Sequence, residues 1–261
     1  MSDEDFWAAM RRTTASRIGL GRTGDTVALR DVLAFRAAHA QARDAVHVPV
    51  DVAALSADLE ARGLGTPYVV RSRAGDRGEY LRRPDLGREP LDLSALPAAA
   101  EGEGPDIGVV LADGLSGQAL TDHAPALVAA LRATLPSSLT WAPLVVATDA
   151  RVALGDHVGA RMGVGTLLVV IGERPGLSVP SSLGVYLTHR PRPGRRDSER
   201  NCVSNVHPPD GLDHGTAARV VAALVTGARA LGESGVRLKD TSGALAGGPG
   251  GVPDAPAVSE N

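Results

Sequence analysis

The stretch RIGLGRTGD, residues 17–25, holds Gly19, Gly21 and Gly24 at the G-x-G-x-x-G spacing that lets a turn present backbone amides to a dinucleotide pyrophosphate. That chemistry needs a strand leading to the first glycine. The preceding WAAMRRTTAS, residues 7–16, lacks the branched apolar run of a buried parallel strand. A helix does follow, so the preferred reading is a flexible glycine-rich lead-in to it. Asp113 and Ser116, in ADGLS, offer an acid and a hydroxyl nucleophile, yet both types ahead of a helix serve first as caps for its free amides. Glu173 directly follows the apolar run TLLVVIG, which puts a carboxylate at a strand end. There it accepts hydrogen bonds from a ligand's amides or pairs with Arg174 or Arg192. Cys202 is the only cysteine, so an internal disulfide and a cysteine zinc cluster are both excluded, and no nearby His and Asn make it a catalytic dyad. The seven histidines form no H-x-x-x-H or H-E-x-x-H pair, which argues against a zinc protease site. The arginines between Arg190 and Arg200 mark either a partner surface or a solvated loop.

These residues need elements to position them. The runs IGVVL (107–111), PLVVA (143–147), TLLVVIG (166–172) and LGVYLT (183–188) read as strands, the first three buried on both faces. Between and after them lie helical patterns: one with Leu120, Leu127, Val128 and Leu131 on one face, one with Val152, Leu154, Val158 and Met162, and an Ala-rich helix over 215–231. The alternation predicts an α/β fold, an open, doubly wound, Rossmann-like parallel sheet. Ligands of such sheets bind outside the carboxyl ends of the strands, so the loops after all four strands are expected to converge there.

The first hundred residues read as mainly helical. One helix, capped by Asp25 or Thr26, carries an apolar stripe of Leu29, Val32, Leu33, Ala37 and Ala40. A second helix covers 51–63, TPYVVRSR is a strand or hairpin, and RGEYLRRPDLGREPL is an Arg-rich turn. This gives a helical N-terminal region over 1–104, a sheet domain over 105–240 and a disordered Gly- and Pro-rich tail over 241–261. The formal charge of −3 argues against nucleic acid as the main partner. No apolar run approaches the roughly 20 residues of a membrane span, and MSDEDFW lacks the regions of a signal peptide. With one unpaired cysteine, a reducing cytoplasmic compartment is the expectation.

Five stretches carry a resemblance: SRIGLGRTGDTVALRDVLAFRAAHAQARDAVH (16–47), YLRRPDLGR (80–88), VLADGLSGQAL (110–120), RVALGDHVGARMG (151–163) and VVIGERPGLSVPSSLGVYLTHRPRPGRRDSERNCVSNV (169–206). Together, in that order, they resemble the small subunit of ethanolamine ammonia-lyase, from about Ser16 to Leu231. The resemblance implies an adenosylcobalamin-dependent lyase converting ethanolamine to acetaldehyde and ammonia. It implies a hetero-oligomer in which this chain joins a larger, barrel-shaped subunit that holds the substrate. The family's cobalamin contacts fall on Val152, Glu173 and Cys202, no catalytic residue or metal ligand falls on this chain, and the glycine-containing N-terminal segment contacts the large subunit. The D-x-H-x-x-G motif that supplies a protein histidine to cobalt is absent, since neither DHVG nor DHGT has its spacing, so the cofactor is expected to keep its own dimethylbenzimidazole ligand. His157 replaces an acidic residue frequent in similar sequences, and the tail after Asp240 inherits no role. The compartment implied is the cytoplasm, with a bacterial microcompartment as the alternative. An oxidoreductase subunit and a non-catalytic assembly protein are the other functional readings.

Overall fold

The computed structural model describes residues 3–242. Helix α1 (Asp3–Arg11) leads into a short antiparallel hairpin, β1 (Arg22–Thr23) and β2 (Thr26–Val27), and then into α2 (Leu29–His47) and α3 (Val52–Ala61). Strand β3 (Tyr68–Arg71) and the short helix α4 (Arg77–Arg82) follow. Then come β4 (Ile107–Ala112), α5 (Gly117–Thr134), β5 (Val145–Thr148), α6 (Val152–Arg161), β6 (Thr166–Gly172), β7 (Leu183–His189), β8 (Asn201–Val206) and α7 (His214–Leu231). The start of α2 differs from expectation: Ala28 is its N-cap, with no side-chain cap, because residues 22–27 are taken up by the hairpin. Of the tail expected over 241–261, the part from residue 243 onward lies outside the described residues.

The main sheet has six strands in the order β3-β5-β4-β6-β7-β8. It is α/β but mixed: β3, β5, β4 and β6 run parallel, whereas β7 is antiparallel to β6 and β8 antiparallel to β7. The expectation of a wholly parallel sheet is therefore corrected. The cause is the connection. Only residues 173–182, with no helix, join β6 to β7, and a parallel crossover needs a dozen or more residues, usually with a helix. Two further features go beyond the sequence reading. The strand at Tyr68–Arg71 is an edge of this same sheet, and the segment NCVSNV, read as loop, is its other edge.

Two cores sandwich the sheet. On one face α3, α5 and α7 bury Leu55, Leu127, Leu131 and Val221 against Leu168, Val170, Val185 and Leu187. On the other, α6 buries Leu154, Val158 and Met162 against Val110, Val145, Leu167 and Val169. Helix α6 packs chiefly on β4 and β6. Side chains alternate along β7: Leu183, Val185 and Leu187 enter the first core, while Tyr186 points to the α6 side.

Candidate functional site

The carboxyl ends of β4 and β6 meet closely. A side chain at Gly114, whose φ is +53°, would come within 2.2 Å of the Gly172 carbonyl, and one at Gly172 within 2.1 Å of the Ser116 carbonyl. Ser116 caps α5 as its sequence position suggested, accepting from the Ala119 amide at 3.3 Å. Asp113 does not cap. It is buried, and its carboxylate accepts from the Asp149 and Ala150 amides at 2.9 and 3.0 Å and from Arg77 at 3.1 Å, which pins the end of β5 to the end of β4. Burial pushes its carboxyl up to about 6, with Arg77 and the two amides pulling the other way.

The loop into α6 is held from a second side. Tyr80 is fully buried, donates to the Ala150 carbonyl at 3.1 Å, and has the Arg77 and Arg151 guanidinium groups 4.9 and 4.6 Å from its ring centre. The Arg151 amide donates to the Gly87 carbonyl at 2.8 Å. The segment YLRRPDLGR is thus the brace that sets the first turn of α6.

A cleft of about 430 Å³ opens beside this frame, lined by Gly114, Leu115, Arg151, Val152, Ile171, Gly172, Glu173, Arg174 and Tyr186. The ends of β4, β5 and β6 converge on it as expected. The loop after the fourth strand does not: β7 runs the other way, so its carboxyl end lies beside the start of β6, where His189 pairs with Thr166. What β7 contributes is Tyr186, from mid-strand. A second cleft of about 310 Å³ continues round the start of α6 and shares Arg151, Val152 and Tyr186 with the first.

Val152 and Glu173 therefore line one cleft, both half-buried. Glu173 is not paired with Arg174 or Arg192 in a salt bridge. One of its oxygens, Oε2, accepts from Ser182 Oγ at 2.7 Å and from the Asn205 amide at 3.1 Å. The other, Oε1, lies over Gly184, where a β-carbon would stand 3.1 Å away. Cys202 does not line the cleft, but it sits opposite Tyr186 in the β7–β8 register. Cys202 is exposed by area, yet the surroundings of its sulfur push the thiol up from its ordinary value, with the Tyr186 hydroxyl opposing and Glu173 adding to the rise. Burial first, then Cys202 and Glu173, push the Tyr186 phenol up to about 12.

Tyr186 and Arg151 were not singled out from the sequence. The available signal for Tyr186 was the alternation in LGVYLT, which marks a strand with one face left open. Arg151 carried none, since its place depends on Tyr80 and Gly87. The cleft combines a held carboxylate that offers an acceptor, apolar surface from Val152 and Tyr186, and an Arg151 Nε that is buried with no partner.

The glycine motif is not a strand-to-helix turn. Gly19, at φ +55°, lies against the Trp7 ring, and Gly24 turns the small hairpin. The stripe expected on α2 is largely uncovered by this chain: Leu29 and Leu33 are 71 and 55 % exposed and Ala37 is exposed, while Val32 and Ala40 are half-buried; outside the stripe Phe35 is exposed and Ala38 buried. Several arginines of the 190–200 loop are internal ties. Arg200 makes a fully buried bidentate pair with Asp156 at 2.7 and 2.5 Å, and Arg195 pairs with Glu199 at 2.5 Å. His157 faces Glu89 at 3.7 Å. No helix among the described residues is long and apolar enough to cross a membrane.

Fold and site define a class, an α/β chain with a shallow, one-sided cleft at the carboxyl edge of a mixed sheet and a wide apolar surface on its N-terminal elements. Residues 4–239 match the family described as Ethanolamine ammonia-lyase light chain (EutC), and the chain belongs to that family. It is similar to the ethanolamine ammonia-lyase small subunit of Rhodococcus erythropolis, with 59% identity over 238 residues covering 91% of each chain. The small subunits of Ralstonia nicotianae and Rhodopseudomonas palustris are 47% and 49% identical, over 90% and 89% of this chain and 88% and 89% of theirs.

Proposed function

We propose that this chain is the cofactor-supporting subunit of an adenosylcobalamin-dependent ethanolamine ammonia-lyase, which converts ethanolamine to acetaldehyde and ammonia, and that a larger partner subunit holds the substrate. The observation that carries this reading is that Val152 and Glu173 line one cleft and that Cys202 is the register partner of its floor residue, Tyr186. Family resemblance and sheet geometry both support this place. When bound, the cofactor supplies the radical chemistry. The residues of this chain bind and orient: Glu173 Oε1 accepts from a corrin carboxamide, Val152 packs on the rim, and Cys202 stays a neutral thiol.

A cleft of about 430 Å³ holds only one side of so large a ligand, so the other side belongs to the partner. Asp113, the most perturbed carboxyl near the cleft, is engaged by Arg77 and two amides and is not available as a catalytic acid. Residues 1–104 serve mainly as the partner-contacting region, except for β3, and 105–240 as the cofactor-contacting domain. The unpaired Cys202 suits a reducing interior, the cytoplasm or a microcompartment within it.

Glu173→Gln tests the assignment on the complex reconstituted with the large subunit. If the Gln carbonyl keeps the Ser182 and Asn205 donors, its amide nitrogen replaces the free acceptor. Cobalamin affinity is then expected to fall by about 1–3 kcal/mol while turnover at saturating cofactor barely changes. The chain alone is expected to release no ammonia. Collapse of saturated turnover with unchanged affinity would place Glu173 in the chemistry and overturn this division of labour.

A further inference from the structure

We infer that Tyr186 is a ligand-contacting residue of the cleft: its ring is the floor between Val152 and Glu173. This rests on the cofactor reading above. Tyr186 is on the α6 side of β7 and stays half-buried while Val185 and Leu187 on the opposite face are buried. A tyrosine serving only the core would be covered. It lines both clefts, so a flat ligand spanning them crosses its ring.

Its neighbours leave that surface clear. A β-carbon at Gly184 would stand 3.4 Å from the Tyr186 ring and 3.1 Å from Glu173 Oε1, so the glycine keeps ring and carboxylate in one continuous patch. Tyr186 and Cys202 are register partners, so the edge strand β8 runs beside the cleft floor. The phenol, pushed up to about 12, stays protonated at neutral pH and presents no charge to a neutral macrocycle. An aromatic face with a neutral thiol beside it and one carboxylate acceptor at its rim matches an apolar ring system edged with amides.

The test uses the complex of this chain with its large subunit, cyanocobalamin as the probe, and iodoacetamide alkylation of the Cys202 peptide read by mass spectrometry. Tyr186→Phe keeps the ring and is expected to bind cyanocobalamin within about threefold of wild type, whereas Tyr186→Ala is expected to weaken it at least about tenfold. Tyr186→Leu replaces the Ala variant if that one does not assemble. Wild-type affinity in the Ala or Leu variant overturns the role given to Tyr186. Failure of the wild-type complex to bind cyanocobalamin, or of bound cyanocobalamin to shield Cys202, instead overturns the cofactor reading of this cleft.

Discussion

At Asp113 two effects compete, and their balance has a measurable sign. Burial raises the carboxyl, while Arg77 and the Asp149 and Ala150 amides lower it, and burial prevails, to about 6. A carboxyl whose folded value lies above its unfolded 3.8 binds a proton more readily in the folded chain. Its contribution therefore favours folding increasingly as pH falls from about 6 toward 3.8, and vanishes well above 6. Asp113→Asn removes this titration. Thermal unfolding of both proteins across that range is expected to show wild type gaining on the variant as pH falls; a constant difference would show that the three donors balance burial, and wild type losing on the variant that they outweigh it. From the sequence, Asp113 reads as a cap beside Ser116. Only the approach of β5 turns it into the anchor of a neighbouring loop.

Among the elements, α6 matters most because its first turn carries Val152. Its far side is fixed by Asp156, whose pair with Arg200 is fully buried and also includes Thr188 Oγ1 at 2.8 Å from Arg200 Nη1. That pair ties α6 to the start of β8 through charges with no access to water. Asp156→Ala is expected to cost about 3–5 kcal/mol, since the guanidinium stays buried with only Thr188, the Arg195 carbonyl and the more distant Asp197 beside it. Chemical denaturation of the purified chain measures it, and a loss near zero would mean that water reaches Arg200. Elements with one strong signal were legible: β6 and the buried face of α5 lie where periodicity puts them. The direction of β7 and the existence of β8 were not. Strand direction depends on the length of a connection, and NCVSNV lacks the continuous apolar run of a central strand because it is an edge.

For the whole molecule, the unusual feature is apolar surface concentrated on the N-terminal elements. Phe6, Trp7, Met10, Leu20, Val27, Leu29, Leu33 and Phe35 are all exposed, and a groove of about 480 Å³ runs between Leu20, Val27, Val32, Phe35 and Leu177. Patches of this kind mark contact with another chain. The double substitution Leu33→Asp and Phe35→Asp is expected to abolish co-purification with the large subunit and leave the melting temperature of the isolated chain within about 2 °C of wild type, as surface changes do. Retained complex would move the interface elsewhere.

The sequence by itself determined the α/β class, the buried strands at 107–111 and 166–172, the three helices that flank them and, through five ordered stretches, the family. These follow from local periodicity and from the wording of contiguous segments, which a linear chain displays directly. Tertiary structure decided where the chemistry meets. Gly114 against Gly172, Tyr80 against Arg151, and Tyr186 beside Cys202 pair residues far apart in the chain, and none of these pairings is encoded in either partner alone. The α2 stripe shows the same limit from the other side. Its spacing specifies an apolar face, but whether that face is a core or a docking surface depends on what the rest of the chain brings to it, and here it brings too little to cover Leu29 and Leu33.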